Sequence, residues 1–86
     1  MENITLHCAG METKQQFHAA IAQALSFPDW YGHNLDALYD CLTDMDTPVH
    51  LHLTDWDALP QWKDAFKEVF DAALATGYAE FTVTYQ

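Results

Sequence analysis

Three aspartates, Asp36, Asp40 and Asp44, recur every fourth residue, with Tyr39 and Thr43 among them. At roughly 100° per residue a helix places all three on one side and Leu35, Leu38 and Leu42 on the other. No Lys or Arg lies between Asn34 and Asp44. Like charges four apart cost a helix about 0.2–0.5 kcal/mol per pair, and Asp is a poor residue inside a helix. Asp36 regains something from the positive N-terminal end of the helix dipole, whereas Asp44 near the other end does not. A sequence shaped for stability alone would carry Lys at one of these positions. The plain reading is a solvated acidic face. Two chemistries compete with it. Paired carboxylates could serve as acid and base, as in glycoside hydrolysis, but Asp36 and Asp40 project from one convex helix face and an active site needs a cleft. Carboxylates flanked by aromatic anchors could instead fill a cationic cleft on another protein. Tyr39 on the helix and Trp30 in the preceding loop are such anchors.

Charge restricts the partner. Three Lys/Arg against thirteen Asp/Glu give a formal net charge of −10. Phosphate backbones and anionic membrane surfaces both call for cationic proteins, so neither is expected as a partner. A basic protein is. No nucleophile–base set, Gly-rich phosphate loop or HExxH is in view, so an enzyme is not expected. His50 and His52 share one face of a strand and His7 is expected on the same face. A divalent metal would accept such ligands, but solvent-facing histidines are the reading adopted here, with no metal and no cofactor. Cys8 and Cys41 do not make a disulfide framework and are read as packing residues. With no signal peptide and no apolar run long enough to span a bilayer, a cytoplasmic location is expected.

The elements that must position these residues follow from periodicity. Eighty-six residues are expected to form a single domain, 1–86. Ile4, Leu6 and Cys8 alternate with Thr5 and His7, a half-buried strand. Thr13 and Gln16 form a capping-box pattern, followed by a helical stripe of Phe17, Ala20, Ile21, Ala24 and Leu25 that ends before Pro28. An aromatic loop leads to Asn34, a good cap for the acidic helix. Val49, Leu51 and Leu53 alternate with the two histidines in a second strand. Asp55-Trp56-Asp57 reads as a turn with a half-buried Trp. A long helix runs from Pro60 to about Thr76 on a stripe of Trp62, Ala65, Phe66, Val69, Phe70 and Ala73, with Gly77 just past its end. Phe81, Val83 and Tyr85 alternate in a last strand. Helical crossovers between strands imply a parallel sheet. Alternation in every strand leaves one sheet face wet. Right-handed crossovers then require the order 1-2-3, a two-layer α/β fold with helices on one face.

Trp30-Tyr31-Gly32-His33-Asn34-Leu35-Asp36-Ala37-Leu38-Tyr39-Asp40-Cys41-Leu42-Thr43 resembles the signature of the barstar family, intracellular inhibitors of barnase-type ribonucleases. The likeness extends upstream through Phe17-His18 and Leu25 to Pro28, and downstream through Val69-Phe70 to Gly77 and the last strand. It implies the same two-layer fold. It also implies that the second helix and the loop before it plug a nuclease active site. Asp40 would sit where a substrate phosphate binds, with Asp36 as its companion acid, Tyr39 as the helix aromatic and Trp30 as the loop aromatic. Thr43, Asp44 and Met45 would complete the contact. The chain also departs from the pattern. Ala72 stands where the family has an acid in the last long helix, with Asp71 beside it. Asp44 replaces a glycine after the binding helix, Met45 an aromatic, and His33 an acid in the loop. Asp44 or Asp71 is the candidate to replace the acid missing at Ala72. The expected partner is a basic ribonuclease, and the free protein is expected to be monomeric. The other readings are an immunity protein against a different toxin and an acidic regulatory binding module.

Overall fold

A computed structural model describes residues 2–77 and 80–86. Strand β1 (Glu2–His7) leads to helix α1 (Lys14–Ala24) and helix α2 (Leu35–Thr43). Strand β2 (Val49–Thr54), a 3-10 turn (Trp56–Ala58), helix α3 (Lys63–Ala75) and strand β3 (Phe81–Tyr85) complete the described order. The strands form a parallel sheet in the order β1-β2-β3, as the alternation argument required. Parallel pairing aligns Ile4 with Leu51 and Leu51 with Val83 on one face. It aligns Asn3 with His50 and His50 with Thr82 on the other. The helices cover the first face: Phe17, Ile21, Leu38, Leu42, Leu51, Leu53 and Phe70 are all fully buried in one cluster. The second face stays wet.

Local chemistry explains where the elements begin and end. The Thr13 hydroxyl accepts the N–H of Gln16, and the Gln16 side chain accepts the N–H of Thr13. Four donors at a helix start lack partners inside the helix, and this pair satisfies two. Gly77 sits at φ +79°, a left-handed conformation that glycine adopts without a Cβ clash.

Three details differ from the reading by periodicity. β1 begins at Glu2 and ends at His7, so Cys8 lies just beyond it, fully buried, with its N–H bonded to the Thr54 carbonyl. α3 begins at Lys63 rather than Pro60, because the N–H groups of Lys63, Asp64 and Ala65 bond three residues back and form a tighter lead-in turn. Trp56 is buried rather than half-buried, with its ring against Phe17 and Tyr85. Among the described residues no helix is long and apolar enough to cross a membrane.

Candidate functional site

The loop from Ser26 to Asn34 presents α2, and its conformation follows from a few anchors. α1 stops where Ser26 turns to φ +57°, and Phe27 closes back onto the Ala22 carbonyl at 2.9 Å. The chain then turns at Pro28, whose carbonyl accepts the Tyr31 N–H. The next two aromatics part company: Trp30 is 64% exposed, whereas Tyr31 is buried. Tyr31 reaches the buried ring of His18 on α1, with 2.6 Å between its hydroxyl and Nδ1.

The two groups settle each other's protonation. Burial above all, then the neighbouring charges of His33 and Lys14, pushes His18 down to about 4, so the ring is neutral near pH 7. Burial, then Cys41, pushes the Tyr31 phenol up. The phenol therefore keeps its proton, and two neutral groups share the hydrogen bond. His33 stacks on His18 with 5.9 Å between ring centres, and holds φ +52° to do so. Non-glycine residues in that region carry strain of about 1–2 kcal/mol.

Asn34 joins loop to helix. Its Oδ1 accepts the Ala37 N–H at 2.8 Å, the cap the sequence suggested, and its Nδ2 donates to the Gly32 carbonyl. A Cβ at Gly32 would lie 2.9 Å from that Nδ2, so a larger residue there pushes the cap aside.

On α2, Leu38 and Leu42 are fully buried and Leu35 is half-buried. Asp36, Asp40 and Asp44 are exposed; Tyr39, Thr43 and the following Met45 are half-buried. The helix thus brings these expected residues onto one outward surface, with Trp30 standing free on the loop before it. The Thr43 hydroxyl turns back onto the helix and donates to the Tyr39 carbonyl at 2.9 Å. Among the described residues the three carboxylates accept no hydrogen bond and form no ion pair. Among the described residues the sole ion pair joins Lys67 to Asp71 on α3 at 3.1 Å. Asp71 is therefore already engaged, and its neighbour Ala72 is exposed. Cys41, buried behind the acidic row, has its thiol pushed up by burial first and then by Asp40 and Asp44, which keeps it protonated and unreactive.

A hollow of about 400 Å³ lies at each end of α2. One borders His18, His33, Asp36 and Trp62. The other borders Leu25, Phe27, Trp30 and Met45, with the exposed carboxylates of Glu2, Asp44 and Asp46 along it. Trp30, Asp44 and Met45 were expected at this edge. Phe27, Glu2 and Asp46 were not: they come from separate elements, and no local spacing signals their meeting.

The histidines of the sheet behave differently. His50 packs between the hydroxyls of Thr82 and Thr84, one against each ring nitrogen. His7 bonds to Thr54 at 3.0 Å and His52 to Asn3 at 3.4 Å. Among the described residues no group of three or more His, Cys, Asp or Glu is placed to hold a metal ion.

Comparison with known proteins adds a lineage to this geometry. The family model described as "Barstar (barnase inhibitor)" matches residues 1–84. A Bacillus subtilis (strain 168) protein named "Putative ribonuclease inhibitor YrdF" is 40% identical over 88 residues, covering 96% of this chain and 97% of that one. A stretch of the cytochrome P450 monooxygenase pyvB of Aspergillus violaceofuscus (strain CBS 115571) is 34% identical over 74 residues. That match covers 74% of this chain but only 15% of the fungal protein, and no activity is carried over from it.

Proposed function

The chain belongs to the barstar family, and from that membership we propose that it is a cytoplasmic, single-domain inhibitor that occludes the active site of a basic, barnase-type ribonuclease. The observation that carries the reading is the row of Asp36, Asp40 and Asp44: exposed, of one sign, and without a partner among the described residues. A carboxylate that is hydrated in the free protein is ready for a guanidinium or imidazolium, and charge-assisted bonds of that kind are strong once water is excluded. Asp40 takes the place of a substrate phosphate among the cationic side chains of the nuclease. Asp36 supports it one turn earlier. Tyr39 and Trp30 supply flat, low-entropy contact area on either side. Thr43, Asp44 and Met45 extend the contact past the end of α2.

The rigid footing of this surface supports the same reading. Tyr31 fixes the loop to α1, Asn34 fixes the loop to α2, and Leu38 and Leu42 fix α2 to the core. A plug that is already shaped loses little entropy on docking. The protein binds as a monomer, and its charge keeps the acidic faces of two copies apart at low salt.

The test is inhibition of a panel of basic microbial ribonucleases, a barnase-type enzyme among them, by the wild type and by Asp40→Ala. Stoichiometric inhibition by the wild type that collapses in the variant is the expected result. Inhibition that survives the substitution removes Asp40 from the centre of the site. Failure to inhibit any member of the panel removes the barnase-type partner.

A further inference from the structure

The hollow between Trp30 and Met45 has no role in a reading built on the carboxylate row alone. Its lining is mixed, with the apolar and aromatic side chains of Leu25, Phe27, Trp30 and Met45 set among polar residues. Trp30 is the one large hydrophobic residue left substantially exposed among the described residues. Three exposed carboxylates, of Glu2, Asp44 and Asp46, line the same hollow. None of the lysines, Lys14, Lys63 and Lys67, lines it among the described residues.

A slot that combines aromatic side chains with three carboxylates selects a narrow class of occupant. A purely apolar side chain would fill the slot but leave the carboxylates unanswered. A lysine would answer them, yet its ammonium is more strongly hydrated than a guanidinium and has no planar face to stack on the indole. An arginine satisfies both: its aliphatic stem lies along the walls, its planar guanidinium stacks on the indole, and its fork of N–H donors reaches a carboxylate. The hollow is continuous with the inhibitory surface, since Trp30, Asp44 and Met45 belong to both. We infer that this slot receives an arginine side chain of the nuclease, outside its catalytic centre, and that Trp30, Asp44 and Asp46 set which nuclease the inhibitor accepts. The inference rests on the ribonuclease reading and adds a second, peripheral anchor to it.

Two measurements test it. In the first, N-acetyl-arginine amide is titrated into the free protein and followed by amide and indole NMR, with N-acetyl-norleucine amide and N-acetyl-lysine amide as controls. Saturable shifts of the Trp30 indole and of the Phe27, Met45 and Thr47 amides with the arginine probe are expected. Both controls should bind at least severalfold more weakly. The double variant E2Q/D46N, which leaves the carboxylate row of α2 intact, should weaken the arginine response about fivefold, while D40A should not change it. Equal responses to arginine and norleucine amides, or shifts centred on Asp36 and Asp40, overturn the inference.

In the second, E2Q/D46N is titrated against a nuclease that the wild type inhibits. An inhibition constant raised about tenfold is expected. Unchanged inhibition, together with no probe response, removes the slot while leaving the inhibitor reading intact. A specific arginine response in a protein that inhibits no nuclease keeps a guanidinium slot and removes its proposed owner.

Discussion

Two polar surfaces of this small protein meet solvent on different terms. On the open face of the sheet the polar groups satisfy one another. His50 lies between Thr82 and Thr84, His7 meets Thr54, and His52 meets Asn3. Along α2 the carboxylates satisfy nothing among the described residues. Asp36, Asp40 and Asp44 stand exposed without a side-chain bond among the described residues, and Trp30 stands exposed on the loop before them. The sheet surface is closed in the sense that a partner would have to break bonds to use it. The helix surface is open, and water is all that a partner must displace. Charge divides them in the same way: the sheet face carries histidines and threonines, and α2 carries carboxylates of a single sign.

The sharpest way to break the comparison is to remove one group from each surface. Asp40→Ala should weaken nuclease binding by about a thousandfold, because a buried charged hot spot leaves its cationic partners unpaired. The free protein should keep its thermal stability, since the carboxylate supports nothing within the chain. His52→Ala on the sheet should leave the inhibition constant unchanged. Competition binding and thermal melts on the two variants separate the outcomes. A comparable loss of affinity from the sheet variant would mean that the interface has been assigned to the wrong face.

The next largest effect comes from a histidine that belongs to the helix side of the molecule although it is buried. His18 is nearly inaccessible and shares a hydrogen bond with the Tyr31 hydroxyl that anchors the loop. It is packed against Tyr31, His33 and Phe66, with the charge of Lys14 acting on it. Its native value near 4 lies below the ordinary histidine value of 6.5. The unfolded chain therefore takes the proton first as pH falls. The stability this histidine contributes is complete above about 6.5 and is lost progressively from there down to about 4, up to about 3 kcal/mol in all. Urea midpoints across this range should fall more steeply for the wild type than for His18→Gln. Parallel slopes would show that His18 does not govern the decline.

How much of this could be read from the chain depended on how local each feature is. The capping box of Thr13 and Gln16, the cap at Asn34 and the leucine stripe of α2 are set by spacings of three or four residues, and all were legible. The strand order was legible too, because alternation in three strands left only one arrangement with a single wet face. The His18–Tyr31 bond was not. It joins α1 to a loop thirteen residues later, and no periodicity marks a buried polar pair. The slot beside Trp30 was hidden for the same reason: Glu2, Phe27 and Asp46 meet only when β1, the loop and the exit from α2 are assembled. The start of α3 fell between these cases, since Pro60 does mark the first turn, but the lead-in bonds three residues back place the α-helix proper at Lys63.

Salt sharpens the electrostatic half of the comparison. Steering by the acidic face acts across distances that salt screens, since the Debye length is about 10 Å at 0.1 M and about 3 Å at 1 M. The association rate with a basic nuclease should fall by roughly tenfold to a hundredfold over that range, with a smaller change in dissociation. Stopped-flow mixing at several ionic strengths measures both. A rate indifferent to salt would mean that the carboxylates act only after contact.

The smallest effect bears on why the two surfaces differ. If the carboxylate row is kept for a partner, it should carry a cost to the free protein. Asp44 is where that cost is most exposed. It caps the C-terminal end of α2, with its N–H on the Asp40 carbonyl, at the end of the helix dipole that favours a cation. It also stands one turn from Asp40, a like charge. Asp44→Lys removes one repulsion and adds two attractions, so the free protein should gain about 0.5 kcal/mol. For a domain of this size that is a rise in Tm of about 2–4 °C. The same substitution should weaken nuclease binding, because it places a positive charge beside a cationic partner. On the sheet the signs reverse. Thr82→Val leaves a ring nitrogen of His50 without its hydroxyl partner, so it should lower stability by about 1 kcal/mol and leave inhibition untouched. Stability gained with affinity lost on α2, against stability lost with affinity kept on the sheet, is the pattern of one surface held ready for a partner and another spent on the fold. A Tm that does not rise in Asp44→Lys would mean that the acidic row costs the free protein nothing, and its one-signed charge would then no longer argue for a partner.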